Sequence, residues 1–475
     1  MTWLASARPE RGTALGGLLV MLTLVAVLMA GVFRLAAVRA GTARRAAYHL
    51  QAQYAAESGV ERLRWRLAQS GGWNRLWSPT GEPSPALTES LAVDTGYRLS
   101  LRPCGGYLEA TVTGHCHKET VTVRALLGMR PPAWFQRAVT VRSSVSPLVL
   151  AGASRIRGDV LAGPGGVRTG RMPGEPLPPE TPPVDGMIVN DGDGADFDPS
   201  LVVVTMTQLD RQLAGEGITR SVTDLGAFGE PLRPAALPDS VHGGVISLPG
   251  VLTLLTAGPD DPPVSGPLTL IASGAVRLQG HLILRGAIVV AAQDSIIVAD
   301  RVDIRGGLLY TPGPIRLTDQ ARLEGQALSR SQIEVKDQAQ VVYPGLLYAT
   351  GGLNGDRVDG GILITSSRLQ SGSLVVQPSG WVAGQTVRDR TTIRIGPASR
   401  FAGLVWSANA TWLEGTLLGS AATGTFYLEH GPTTYLNWIR SGVIDRRSLT
   451  DAYRLPLGFG RHPQVEVVSW EWLDR

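Results

Sequence analysis

The densest group of potential metal ligands is the acidic stretch NDGDGADFD over residues 190–198. Carboxylate oxygens at alternating positions, with glycines between them, are what a Ca²⁺-binding loop requires. The EF-hand pattern is not met, because Ala195 stands at its fifth position and Val202 stands where a bidentate Glu is needed. The stretch therefore predicts either solvated turns or a calcium site, whose ligands would be Asp191, Asp193, Asp196 and Asp198.

The chain has two cysteines, Cys104 and Cys116, within a segment (97–129) whose alternating apolar residues and turn glycines predict antiparallel strands. A disulfide between them would brace this sheet and indicate an oxidising, extracytoplasmic compartment. Two free thiols are the alternative. A zinc site that adds His115 and His117 is the third, although adjacent ligands on a strand point to opposite faces and do not easily complete a tetrahedron.

Signatures of catalysis are missing from the sequence, which has no P-loop, no HExxH and no CxxC. Several aspartates recur near predicted corners, where Asp is structurally common, namely Asp300, Asp303, Asp319 and Asp337. The net charge is only +4, and the basic residues are scattered, so nucleic-acid binding is not predicted. We therefore expect no catalytic residues and no enzyme. A secreted enzyme acting on polysaccharide, with convergent carboxylates on a solenoid, is the alternative.

Residues 12–33 read GTALGGLLVMLTLVAVLMAGVF and contain no charge. A helix of this length is about 33 Å long, enough to cross a bilayer core of about 30 Å. The Ala-rich, Pro-free segment from Arg34 to Gln69 continues the helix and places several large side chains near one face, namely Leu50, Tyr54, Val60, Leu63 and Leu67. The sequence thus predicts one long helix, membrane-spanning at first and amphipathic further along.

Two motifs on this helix resemble the type IV pilin superfamily, in particular PilX-type minor pilins and the K-type minor pseudopilin of type II secretion. They are RGTAL at residues 11–15 and AAESGVE at residues 55–61. The resemblance implies cleavage by a prepilin peptidase between Gly12 and Thr13. Gly17 stands where major pilins carry a glutamate, which implies a minor or tip component rather than a bulk filament subunit.

The charges around the apolar segment conflict with the orientation that this resemblance implies. Four arginines follow the segment before any acidic residue, namely Arg34, Arg39, Arg44 and Arg45. The positive-inside rule would place them, and the rest of the chain, in the cytoplasm. We give the leader-and-helix pattern more weight and expect an extracytoplasmic C-terminal region.

The remainder of the chain is rich in Gly (58 residues) and low in charge (18%), a composition that favours short strands and tight turns. Loose repeats begin near residue 250, with marker glycines at intervals of 20, 19 and 20 residues, namely Gly286, Gly306, Gly325 and Gly345. Units of this length cannot bury an apolar face alone, so they must stack. The pattern predicts a mainly β protein with a parallel, right-handed β-solenoid. A Greek-key sandwich is the alternative.

These observations divide the chain into five parts: a leader (1–12), the pilin-like helix (13–70), a small antiparallel β region (71–130), the solenoid (131–427) and a C-terminal cap (428–475). The solenoid carries a Pro-rich insertion over 171–250. Trp438, Trp470 and Trp472, with Tyr435 and Tyr453, are expected to cover the solenoid's end, as an exposed terminal coil requires.

We expect a structural protein of the cell membrane, a minor pilin-like subunit of a type IV pilus or type II secretion-like filament that acts in assembly, priming or tip adhesion. Its partners would be other pilin-like subunits, the assembly platform, the prepilin peptidase and the membrane. No cofactor is expected apart from the calcium considered above. A membrane-anchored cytoplasmic scaffold resembling bactofilins is the main alternative.

Overall fold

The structure is a computed structural model that describes most of the 475 residues. The described ranges are 11–69, 87–142, 146–174, 180–190, 194–216, 231, 244–248, 250–256, 261–354, 357–378, 390–459 and 464–473.

Two α-helices and 34 strands make up the described part of the chain, together with two short 3₁₀ turns at Ala133–Gln136 and Arg446–Ser448. The helices are α1 (Arg11–Ala68) and α2 (Ser200–Leu213). In chain order the strands are β1 (Leu87–Ala92), β2 (Thr95–Cys104), β3 (Tyr107–Cys116), β4 (Glu119–Met129), β5 (Val139–Val141), β6 (Leu148–Ala151), β7 (Arg155–Arg157), β8 (Val160–Leu161), β9 (Val167–Gly170), β10 (Val184–Asp185), β11 (Ile188–Val189), β12 (Gly244–Leu248), β13 (Leu252–Leu255), β14 (Val264–Ser265), β15 (Leu268–Ala272), β16 (Val276–Gln279), β17 (Ile283–Arg285), β18 (Ile288–Ala292), β19 (Ile296–Val298), β20 (Asp303–Thr311), β21 (Ile315–Leu317), β22 (Arg322–Ser329), β23 (Gln332–Val335), β24 (Gln340–Ala349), β25 (Gly352–Asn354), β26 (Arg357–Ile364), β27 (Leu369–Val376), β28 (Arg390–Ile395), β29 (Arg400–Leu413), β30 (Thr416–His430), β31 (Thr433–Leu436), β32 (Trp438–Arg440), β33 (Val443–Asp445) and β34 (Val465–Trp472).

The small sheet is antiparallel and has the strand order β1-β2-β3-β4-β34. Its first four strands are consecutive, and the C-terminal strand β34 returns to pair with β4, with Val465 opposite Met129. The tail segment 465–472 therefore completes this sheet instead of covering the end of the solenoid, and the prediction of a cap is wrong there. Alternation of apolar and polar residues in VEVVSWEW suits a strand with one buried face.

The large sheet consists of parallel coils, as the repeats predict. Leu268 pairs with Ile288, Val276 with Ile296, and Ile283 with Asp303. Each strand thus pairs with the strand that follows it by one repeat, and the Greek-key alternative is excluded. The mainly β fold with a long N-terminal helix, a small antiparallel sheet and a large parallel sheet is confirmed, whereas the right-handed winding stays a prediction.

One face of the solenoid is buried on both sides. Along the strands of this face, Leu270, Val290 and Leu309 point into the solenoid core. Their neighbours point outward but are also buried, under the small sheet and α2, namely Ile271, Val289, Tyr310, Tyr348 and Trp406. We call this the covered face. Burial on both sides explains why its strands read as continuous apolar runs rather than as alternating sequences.

The solenoid is assembled from two segments that are distant in sequence. The coils that begin at β12 run up to β33, where Val443 pairs with Thr416 of β30. The next positions in the stack are filled by the earlier segment, because Val139 of β5 pairs with Ala421 and Arg155 of β7 pairs with Val443. The first coils in the sequence therefore lie next to the last ones.

The predicted insertion at 171–250 is too wide. Val184 pairs with Ile156 and Ile188 pairs with Val160, so part of that range forms another solenoid coil despite its prolines. After this coil, α2 packs on the covered face and buries Leu201 and Met206 there. The segment between β11 and β12 thus returns the chain towards the opposite end of the stack.

The corners explain two of the sequence signals. Gly403 and Gly419 stand in register on neighbouring coils, and a Cβ on Gly419 would lie 1.9 Å from the carbonyl oxygen of Gly403. Asp300, Asp319 and Asp337 all have φ between 56° and 58° at equivalent corners. The Asp300 carboxylate accepts a hydrogen bond from the Gly280 N–H, 2.8 Å away on the preceding coil.

Candidate functional site

The first half of α1 stands free of the rest of the described chain. The large apolar side chains from Leu15 to Val38 are exposed, between 47% and 69%. Tyr48 is the first half-buried residue, and Ala52 is the first fully buried one. One helix in the described residues is long and apolar enough to cross a membrane, and it is this one.

The junction between α1 and the small sheet is built from small residues. Gly59 fits against Tyr97 and Val112, where a Cβ would lie 2.6 Å from the Val112 Cγ1. On the sheet side, a Cβ on Gly114 would lie 2.0 Å from the carbonyl oxygen of Ala52. The AAESGVE motif therefore lies where helix and strand approach most closely, and its small residues allow that approach.

The face of α1 that packs on the sheet differs from the predicted one. Val60, Leu63 and Leu67 are buried, as expected. Leu50 and Tyr54, which the spacing places near the same face, are 47% and 57% exposed. The buried positions in this part of the helix belong to small residues, namely Ala52, Ala55 and Ala56.

Charged groups fasten the same junction. Arg62 and Arg66 of α1 lie 3.9 and 3.7 Å from the Glu89 carboxylate of β1, and the Tyr97 hydroxyl donates a hydrogen bond to Glu89. This hydrogen bond, with a smaller contribution from the two arginines, holds the pKa of Glu89 below its usual value against the effect of burial. Arg64 Nε donates to the Val465 carbonyl oxygen at 3.2 Å, which joins α1 to β34.

The residues of the predicted cleavage site lie at the start of α1. Gly12 and Thr13 are in its first turn, and Gly17 lies in the apolar part that follows. The leader residues 1–10 lie outside the described residues. Cleavage between Gly12 and Thr13 stays a prediction.

The two cysteines cannot form the predicted disulfide. Cys104 ends β2 opposite Tyr107, and Cys116 ends β3 opposite Thr95. They therefore lie at opposite ends of a ten-residue strand pair, about 30 Å apart, whereas a disulfide needs Cα atoms within about 7 Å. Both are buried, free thiols. The prediction fails because the length of β3 separates the two cysteines.

Both thiols are buried and hydrogen-bonded. Burial raises the pKa of Cys104 to about 11, despite a hydrogen bond from Gln326. The Cys116 thiol donates to the Gln51 side chain at 2.9 Å. No group of three or more His, Cys, Asp or Glu side chains that could hold a metal occurs in the described ranges, so the zinc alternative finds no support at His115 and His117.

The calcium candidates are only partly described. Asp191 and Asp193 lie outside the described residues. Asp196 and Asp198 are exposed, whereas their neighbours Ala195 and Phe197 are buried against the covered face. Asp198 accepts a hydrogen bond from the Ser200 N–H at 3.0 Å, beside the start of α2. The calcium site stays a prediction.

A cleft of about 350 Å³ separates the small sheet from the glycine corner of the solenoid. Three carboxylates line it, and each forms an ion pair with a neighbouring arginine: Glu109 with Arg102, Glu324 with Arg322, and Glu471 with Arg124. Glycosidases use a pair of carboxyl groups, one of which donates a proton. The three carboxylates of this cleft are all ion-paired with arginines and do not resemble such a pair.

No protein-family model and none of the curated proteins matches the chain. Among solved structures, the chain is similar to the crystal structure of the competence-associated pilin ComZ from Thermus thermophilus, at 11% sequence identity. The alignment covers 90% of this chain and 97% of that chain, with a TM-score of 0.23. A TM-score this low does not show a shared fold, so the functional argument rests on the residues of this chain.

Proposed function

We propose that the chain is a minor pilin-like structural subunit of a type IV pilus or type II secretion-like filament. The observation that carries the proposal is the division of α1 into two halves. Its first half is apolar and exposed. Its second half packs, through the AAESGVE motif, against the small sheet, which together with the solenoid we call the head. A helix of 58 residues with this division suits a subunit that is anchored in lipid and later joins a bundle of similar helices.

In this function, each part of the chain has a mechanical role. The prepilin peptidase removes the leader after Gly12, and the apolar half of α1 holds the subunit in the membrane until the assembly platform transfers it to the filament. The exposed outer face of the packed half, with Leu50, Tyr54 and Trp65, contacts neighbouring subunits. The solenoid, buried against the small sheet over its covered face, provides a rigid body for priming, capping or adhesion. No catalytic step is part of this proposal.

N-terminal sequencing of the mature protein tests the proposal. Co-expression with a prepilin peptidase should produce a chain that begins at Thr13, and Gly12→Leu should abolish this processing while the head folds unchanged. Gly16→Leu is the matched control, because it places the same side chain in the same apolar segment away from the cleaved bond. Retention of the leader by the unsubstituted chain would rule out the pilin assignment.

A membrane-anchored cytoplasmic scaffold is the second candidate, favoured by the four arginines after the apolar segment. Because the thiols cannot pair, their oxidation state does not discriminate between compartments. A reporter fused after Arg475 does. Activity of a periplasmic reporter supports the pilin-like orientation, and activity of a cytoplasmic reporter supports the scaffold.

A further inference from the structure

A concentrated positive charge lies directly after the apolar half of α1. We call Arg34, Arg39, Arg44 and Arg45 the basic collar. All four side chains are exposed, and no Asp or Glu occurs between residues 11 and 56. None of the four forms an ion pair with another residue in the described part of the chain. The collar therefore carries four charges that the rest of the described chain does not neutralise.

The collar surrounds the helix instead of marking one face. At about 100° per residue, Arg39 and Arg44 lie about 140° and 280° around the axis from Arg34, and Arg45 lies about 20° from it. A partner helix covers one side of α1 and would reach one or two of these groups. A lipid leaflet surrounds the helix and reaches all of them.

The collar also lies at the right height for a leaflet. Arg34 directly follows Phe33, the last residue of the apolar segment, and Arg45 lies about 16 Å further along the axis. The headgroup layer is about 5–8 Å thick, and charges act over about 8–10 Å beyond it. Helical side chains tilt towards the helix N-terminus, which here is the membrane end, so the guanidinium groups lean back towards the headgroups.

We propose that the basic collar binds the headgroups of anionic phospholipids in the leaflet from which α1 emerges. Guanidinium groups pair well with phosphate. The small residues between the arginines, such as Ala36, Ala40 and Gly41, leave room for headgroups to approach. This inference rests only on the membrane anchoring in the proposed function, and it adds a retention role: these contacts must break before the helix can leave the bilayer.

Lipid selectivity of the full-length chain in nanodiscs tests the inference. The discs contain equal amounts of phosphatidylglycerol and phosphatidylcholine, with a spin label on one lipid at a time, and electron paramagnetic resonance measures the immobilised fraction. The immobilised phosphatidylglycerol should exceed phosphatidylcholine by at least about fivefold, the ratio that one arginine near an anionic surface contributes. The excess should shrink in 0.5 M salt, roughly where the Debye length falls below 5 Å.

Two quadruple variants with the same net charge separate the collar from overall charge. R34Q/R39Q/R44Q/R45Q should bring the two lipids to equal immobilisation. R155Q/R168Q/R277Q/R301Q removes four exposed arginines from the head and should keep the preference. Equal immobilisation in the unsubstituted chain, or equal losses in both variants, would overturn the inference. Leader cleavage is measured separately, so a failure of the pilin assignment with preserved lipid preference leaves this inference standing.

Discussion

Small residues determine how closely α1 packs against the small sheet. Ala52 and Ala56 on the helix face Gly114 on β3, and Gly59 faces Val112. Replacing any of these with a larger side chain forces the helix and the sheet apart. The AAESGVE signature thus has a physical reason in this chain, which is close approach of two backbones.

Gly114→Ala is expected to destabilise the head. The added Cβ would lie 2.0 Å from the Ala52 carbonyl oxygen and 2.5 Å from the Ala56 nitrogen, and both are backbone atoms of a rigid helix. Overpacking of this kind costs about 1–3 kcal/mol of unfolding free energy. Chemical denaturation of the full chain in detergent, followed by tryptophan fluorescence, measures the change.

Gly41→Ala is the matched control for this substitution. A Cβ at Gly41 meets nothing within 4 Å, and Ala is the better helix former by about 1 kcal/mol. Because Gly41 lies in the exposed part of α1, before the helix reaches the small sheet, the head should unfold at the same denaturant concentration as in the unsubstituted chain. Equal stability of the G114A and G41A proteins would show that the junction is looser than the structure indicates.

For the secondary-structure elements, the sequence predicts that a helix exists better than it predicts which face of that helix is buried. The uncharged segment and the absence of Pro up to Gln69 are enough to predict α1. They do not reveal which face is buried, because the large side chains at Leu50 and Tyr54 suggest one face and the close approach of the sheet selects the alanines instead. A helix face that packs closely through Ala and Gly carries few large apolar side chains, so it is hard to recognise from the spacing of hydrophobic residues.

The cysteines show a related limit. Alternation along 97–129 predicts the strands correctly, but a disulfide needs the cysteines side by side, and the length of β3 separates Cys104 from Cys116. A glycine normally suggests a turn, and Gly114 instead lies within the strand because α1 needs the space. The contact that explains the glycine at position 114 is with Ala52, about 60 residues away in the sequence.

A polar cluster around Asp210 holds helix α2 on the solenoid. The Asp210 carboxylate accepts hydrogen bonds from the Tyr310 hydroxyl and from Arg330, both on the solenoid. Asp210→Ala should loosen α2, because it removes the polar contacts that hold the helix against the covered face. Since the Asp210 and Arg330 side chains are about one-third exposed, we expect a loss of only about 1 kcal/mol.

Hydrogen exchange followed by mass spectrometry measures this loosening. Amides in α2 should exchange about fivefold faster in the D210A protein, which corresponds to about 1 kcal/mol. Thr207→Ala, at an exposed position on the same helix, should leave the exchange rate unchanged or lower it. Unchanged exchange of α2 in D210A would mean that the apolar contacts alone hold the helix.

At the scale of the whole molecule, periodicity predicts the solenoid but not its assembly. Intervals of about 20 residues identify stacked coils, because each coil must place its apolar side chains above those of the previous one. Nothing in the repeats indicates that Val139 stacks on Ala421. That pairing depends on the free edge left when the chain leaves the stack after β33, and on the segment with α2 that returns along the covered face.

Arg446 closes the seam between the two segments and should therefore couple their stabilities. It is 6% exposed, its Nε donates to the Phe135 carbonyl oxygen at 2.7 Å, and its Nη2 donates to the Gln136 side chain at 2.9 Å. Its guanidinium also lies 4.8 Å from the centre of the Phe135 ring. Arg446→Gln removes the guanidinium from the Phe135 ring and leaves the Phe135 carbonyl oxygen, on a buried residue, without its donor, which should cost about 2–3 kcal/mol.

The loss should appear at both sides of the seam at once, although they are about 300 residues apart in the sequence. Amides of β5 and β8 and amides of β33 should exchange faster together in R446Q, while β18 and β19, several coils away, keep their protection because solenoid stability passes mainly between neighbouring coils. Arg447→Gln is the control, since its ion pair with Asp185 is largely exposed and worth at most about 1 kcal/mol. Faster exchange on only one side of the seam would mean that the two segments fold as independent units. The contacts of Arg446 would then join the segments without coupling their stabilities.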